Sequence, residues 1–147
     1  MLKGISPVIS PDILKLLAEM GHGDTLVLGD CNYPAASTGK RYLRADGVTA
    51  TDLLDGIMQL LPLDVDEQKN VGNTVTLMRS TDNPKIKPEI WSDFKDIVSN
   101  YEPQAKFDYC DRFEFYENAF VCIQTSEEKY FGCIILRKGV WFSKNNN

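Results

Sequence analysis

His22 is the only histidine in the chain, set between Gly21 and Gly23 and two residues before Asp24. An apolar run from Leu26 to Leu28 leads on to a second acid, Asp30. Histidine is the side chain whose ordinary pKa lies closest to neutrality. One histidine and two carboxylates within nine residues therefore hold the groups that general acid–base chemistry requires. The residue order predicts a helix ending at Gly21, a tight turn presenting His22, and a buried strand carrying Asp30 at its carboxyl end. That position is where ligands bind in open α/β sheets. The same residues also serve as punctuation, His22 closing a helix and the two acids forming turns. Gly-His-Gly-Asp by itself does not separate the two readings.

The elements that must position these groups follow from spacing. Ser10-Pro11-Asp12 starts a helix with a hydroxyl cap, a proline in the first turn and an acid beside the positive end of the dipole. Ile13, Leu14, Leu16, Leu17 and Met20 give it a broad apolar face, and Lys15 and Glu19 form an i, i+4 pair on the wet side. His22 then lies at the carbonyl end, where the dipole favours a cation. Residues 25–30 read as a strand covered on both faces, hence one in a parallel arrangement. Residues 31–40 read as a loop, 41–45 as a short strand and Asp46-Gly47 as a turn. A second helix begins at Thr51-Asp52 and stops at Pro62, with Asp64 just beyond. Residues 74–78 have the β-branched content of a strand. Residues 80–88, with two prolines, are loop. Ile90, Trp91, Phe94, Ile97, Val98 and Tyr101 define a third helix, with Trp91 on its core stripe. The aromatic segment 112–117 fits helix or strand. Residues 119–125 and 133–137 read as closing strands, and the tail from about 144 as frayed. No repeat or linker divides the 147 residues, and the 43% hydrophobic content suffices for one compact core.

Composition narrows the function. A net charge of −5, with lysines and arginines scattered among acids, argues against a nucleic-acid partner. No apolar run approaches membrane-spanning length, so no membrane role is expected. Cys31, Cys110, Cys122 and Cys133 lack Cys-x-x-Cys spacing, and with one histidine they compose no zinc site. Neither metal nor cofactor is expected, and a reducing, cytoplasmic setting fits the cysteine usage.

Seven blocks, in order along the chain, carry a resemblance. They are Met1-Leu2-Lys3-Gly4-Ile5-Ser6-Pro7, Ile9-Ser10-Pro11, the run from Leu17 to Asp24, Arg44-Ala45-Asp46-Gly47, Leu61-Pro62-Leu63-Asp64, Arg112-Phe113-Glu114-Phe115-Tyr116-Glu117 and Leu136-Arg137-Lys138-Gly139-Val140. Together they resemble the fucose mutarotase and ribose pyranase family, and its fucose branch in particular. The resemblance implies a single α/β domain, a mainly parallel central sheet with helices packed around it. It also implies interconversion of the α and β anomers of L-fucose by acid–base ring opening and closure. The alternatives are exchange of D-ribose ring forms, or monosaccharide binding without catalysis. By the same resemblance His22 is the proton donor, Asp64 and Tyr116 are further acid/base groups, and Asp30 and Arg112 contact the sugar. Read from their chemistry alone, Asp64 fits helix-exit punctuation as well, and Arg112 fits a structural ion pair. Family members assemble into decameric rings with the site between neighbouring subunits, so a homo-oligomer is implied here. One departure stands out. Where the family carries Tyr-Gly-Asn with both side chains in the sugar site, this chain has Phe131-Gly132-Cys133. Tyr130 is the expected replacement for the missing hydroxyl.

Overall fold

The computed structural model describes residues 1–65, 74–115 and 119–143. Its first helix, α1 (Pro11–Glu19), starts as the sequence dictates: the Ser10 hydroxyl accepts from the Ile13 N–H, and Ile13 and Leu17 are buried. After Met20 the chain turns sharply. Asp24 accepts the Gly21 N–H at 2.7 Å, and Gly23 adopts φ +88°, a conformation that glycine takes without steric cost. His22 sits at the tip of this turn.

The remaining elements are β1 (Thr25–Gly29), α2 (Ala35–Thr38), β2 (Tyr42–Ala45), α3 (Ala50–Met58), β3 (Val75–Met78), α4 (Ile90–Tyr101), β4 (Phe107–Cys110), α5 (Arg112–Phe115), β5 (Val121–Thr125) and β6 (Ile134–Arg137). One six-stranded sheet runs in the order β2-β5-β1-β6-β3-β4. Neighbours β1/β5, β2/β5 and β3/β4 are parallel, whereas β6 is antiparallel to both β1 and β3. Five strands therefore point one way, and β6 alone runs back through the middle. The closing strands β5 and β6 are not paired with each other, because β1 lies between them.

Alternation along β1 divides the interior. Leu26 and Leu28 join a large core with residues of α1, α3 and α4, including Ile13, Leu53, Leu54, Ile57 and Phe94. Val27 faces the other way into a smaller cluster with Tyr33, Phe115, Cys122 and Cys133. Trp91 is half-buried against the large core and stacks obliquely on Tyr109, with ring centroids 4.7 Å apart. Among the described residues no helix is long and apolar enough to cross a membrane.

Three expectations are corrected. Residues 31–40 include the single turn of α2. Helix α3 is capped by the Thr49 hydroxyl, which accepts from the Asp52 N–H, and it ends at Met58, before Pro62. Strand β4 was not anticipated. It is an outer strand with one partner, and its half-buried Phe-Asp-Tyr pattern lacks the β-branched run that marks a central strand. The tail at 144–147 lies outside the described residues.

Candidate active site

Two clusters occupy opposite edges of the sheet. At the amino edge, the end of β6 holds the His22 turn and the Asp64 segment together. The Gly23 N–H donates to the Lys138 carbonyl at 2.8 Å, and the Lys138 N–H donates to the Asp24 carbonyl at 2.9 Å. Leu63 forms an antiparallel bridge with Lys138, and the Asp64 N–H donates to the Arg137 carbonyl at 3.0 Å. The Thr74 hydroxyl donates to the Asp64 carbonyl at 2.8 Å. Gly139 permits this approach, since a Cβ there would run into the Leu63 carbonyl.

The result is a pair. His22 Nε2 lies 3.4 Å from Asp64 Oδ1, with the imidazole 40% exposed and the carboxylate side chain only 4% exposed. Asp64 Oδ2 is buried with no hydrogen-bond partner among the described residues, as is Arg137 Nε. A buried carboxylate behind a surface imidazole holds the ring in one orientation, which proton transfer requires. Asp64 is thus reached through His22 rather than from solvent. Beside the pair runs a groove of about 740 Å³, whose walls include Met58, Tyr101, Lys138, Val140 and Trp141.

At the carboxyl edge, Asp30 follows β1. Its Oδ1 accepts the Asn32 N–H at 2.9 Å, and its own N–H donates to Cys133 Sγ at 3.5 Å. Burial pushes the Asp30 carboxyl above the usual carboxylate range; the Asn32 N–H pulls the other way, and nearby Glu127 adds a further upward push. Cys133 is itself buried and belongs to the core beneath Asp30, not to an open surface. Its burial holds the thiol well above its ordinary pKa.

The β5–β6 connection completes this edge, and Glu127, which sequence reasoning left as part of a charged loop, organises it. Glu127 is buried; Oε2 accepts the Ala50 N–H at the start of α3, and Oε1 accepts the Lys129 N–H. Its carbonyl accepts the Cys31 N–H at 2.9 Å. Phe131 adopts φ +56°, a left-handed conformation that costs a bulky residue ~1–3 kcal/mol. Gly132 is wedged in: a Cβ there would lie 2.7 Å from Glu127 Cγ and 3.4 Å from Asp30 Cβ. The signal that could have found Glu127 is an acid two residues past the end of β5, whose last residue, Thr125, also turns inward and donates to the Gly29 carbonyl.

The structure thus brings His22 to Asp64, and brings Asp30 to Phe131 and Cys133. It does not bring these two groups together, since the five residues of β1 separate them by about 16 Å. Tyr130 is 87% exposed at the outer rim of the carboxyl edge, lining the same open pocket as Phe131. Arg112 opens α5 after β4, three strands beyond β1 on the same edge. Tyr116 lies outside the described residues. No group of three or more metal-ligating side chains gathers among the described residues.

Comparison with known proteins places this geometry. The model of the family described as RbsD / FucU transport protein matches residues 3–141. The structure of fucose mutarotase in complex with L-fucose from Streptococcus pneumoniae is 38% identical, with a TM-score of 0.86, covering 96% of this chain and all (100%) of that one. FucU from Bifidobacterium longum is 35% identical at a TM-score of 0.85, covering 95% and 100%. Bacillus subtilis RbsD complexed with D-ribose shares the fold, at 20% identity and a TM-score of 0.70, covering 97% and 100%.

Proposed function

The chain belongs to the RbsD / FucU transport protein family, and from that premise we propose that it is a sugar mutarotase acting on L-fucose. The observation that carries this reading is the exposed His22 imidazole backed by the buried Asp64 carboxylate at 3.4 Å. Mutarotation removes a proton from the anomeric hydroxyl and delivers one to the ring oxygen, then reverses both after rotation about the opened carbonyl. His22 performs the transfer at the anomeric centre through Nδ1, because Nε2 faces Asp64. Asp64 acts on the ring, by orienting it, and does not meet the sugar. Tyr116 is the second acid/base group in this reading. Asp30 accepts hydrogen bonds from sugar hydroxyls, with Arg112 as a further sugar contact.

The distance between the two edges supports a shared site. A monosaccharide cannot bridge about 16 Å, so the sugar held by Asp30 of one subunit meets His22 of a neighbour. Val140, Trp141 and Phe142, exposed at the amino edge, supply the apolar surface such a neighbour would cover. This arrangement supports a homo-oligomer, with a decameric ring as the form the family resemblance implies. Four cysteines, none of them in a disulfide, support a reducing, cytoplasmic setting.

Saturation-transfer NMR on the anomeric protons of L-fucose, D-ribose and D-galactose tests the reading. Acceleration of L-fucose exchange by the purified protein is the expected result. Selective exchange of D-ribose ring forms would make it a pyranase instead. Saturable binding of sugar without acceleration would make it a binding protein.

A further inference from the structure

His22 occupies a turn whose fixing bonds fall on its neighbours. The Asp24 N–H donates to the Gly21 carbonyl at 3.2 Å, and Gly23 between them adopts φ +88°. That is the pattern of a type II turn, with His22 and Gly23 as its two central residues. The far side of the turn is tied to β6. The Gly23 N–H and the Asp24 carbonyl both bond to the Lys138 backbone, and Arg137 Nη1 donates to the Gly23 carbonyl at 3.4 Å. The near side starts at Gly21, directly after Met20, the residue that caps α1. Asp24 joins the two sides. Its Oδ2 accepts the Gly21 N–H at 2.7 Å, within the short range of a charge-assisted bond. Gly21 and Asp24 therefore exchange two hydrogen bonds across the base of the turn, one of them through a side chain.

The geometry points to Asp24 as a positioning residue: by closing the turn onto Gly21, its carboxylate sets the direction from which the His22 imidazole meets Asp64 and the sugar. The inference rests on the mutarotase reading and deepens it, giving a task to an acid that the proton transfers leave unused. His22 Nε2 and Asp64 Oδ1 are 3.4 Å apart, beyond the usual hydrogen-bond range, so a small swing of the turn separates them. A displacement of about 1 Å at a reacting group costs up to roughly 100-fold in rate. A carboxylate that positions must offer an acceptor oxygen at one place. Its charge and its proton are secondary.

Two substitutions separate these properties. Asp24→Asn keeps an acceptor oxygen at the same reach and removes the charge, whereas Asp24→Glu keeps the charge and moves the oxygens one carbon further out. The test measures kcat and KM for L-fucose anomer exchange by NMR on the intact assembly, well below the Tm of each variant. His22 is the only histidine, so a single imidazole signal in protein carrying isotope-labelled histidine reports its setting directly. The asparagine variant is expected to hold kcat within about three-fold and to leave that signal in place. The glutamate variant should lower kcat by roughly 10- to 100-fold and displace or broaden the signal. Its KM should stay within about two-fold of wild type, because Asp30 holds the sugar at the opposite edge of the sheet. An asparagine variant that loses as much as the glutamate one would make the charge or proton of Asp24 the active agent and overturn the positioning role. A glutamate variant with wild-type kcat would overturn it too, whatever its Tm. Either result leaves the mutarotase reading intact, whereas no acceleration of L-fucose by the wild type overturns both.

Discussion

Replacing His22 with alanine separates catalysis from stability, and the structure sets the size of both effects. With the imidazole protonated, two unit charges at the observed 3.4 Å attract by about 5 kcal/mol at an effective dielectric of ~20. Water screens that attraction, because the imidazole is 40% exposed. An exposed pair contributes at most ~1 kcal/mol, whereas breaking a buried pair costs ~3–5 kcal/mol. This pair has one partner of each kind, and water can enter the space left by the ring to solvate Asp64. His22→Ala should therefore destabilise the subunit by about 1–3 kcal/mol, intermediate between those limits. In a domain of this size that lowers Tm by roughly 2–10 °C and leaves the protein folded at 25 °C. Anomer exchange of L-fucose, measured well below the new Tm, should fall by roughly 100-fold or more, the scale of a positioned acid/base group. A variant that loses stability by this amount yet exchanges L-fucose at the wild-type rate would refute the assignment of His22 to proton transfer. Its role would then be to cover Asp64.

At the other edge, Asp30 binds its proton more tightly in the folded chain than in the unfolded one, where its pKa is the ordinary 3.8, because burial disfavours its charge. Stability from this group therefore falls as pH rises from 3.8 through the raised value. Asp30→Asn should raise Tm at pH 7, with the gain vanishing near pH ~3, while sugar exchange at subsaturating L-fucose drops by roughly 10-fold or more. A lower Tm at pH 7 would mean that the carboxylate has a stabilising partner in the assembly. Cys31 is exposed, whereas Cys110, Cys122 and Cys133 are buried, so an aromatic disulfide reagent should titrate one thiol per native subunit and four after denaturation. Rapid reaction of a second thiol would show that the small core opens. Trp141→Asp places a charge in the exposed apolar strip that follows β6; light scattering should report a smaller assembly, and exchange should fall with it. Wild-type protein that is fully active as a monomer would exclude the shared site.

Local chemistry alone determined the start of α1, the His22 turn and the placement of Asp30 at a strand end. Ser10, Pro11, Gly23 and the run from Leu26 to Leu28 each impose a backbone conformation that needs no distant partner. The single domain with a mainly parallel sheet was legible from the family blocks. What the sequence could not contain was the pairing of His22 with Asp64. That contact exists because β6 runs antiparallel between β1 and β3, and its end bonds to the His22 turn and to the Asp64 segment at once. Asp64 read as punctuation because its meaning depends on burial, which is a property of the packed sheet. Glu127 was hidden for the same reason: its two backbone donors lie on α3 and in its own loop, and no spacing rule relates Ala50 to Glu127. Tyr130 and Phe131, neighbours of similar type, were separated by one torsion angle, the positive φ of Phe131, which turns one ring toward the core and leaves the other in solvent. Finally, His22 and Asp30 are close in sequence and far apart in space. A β-strand extends about 3.3 Å per residue, so the chain that links them also holds them apart.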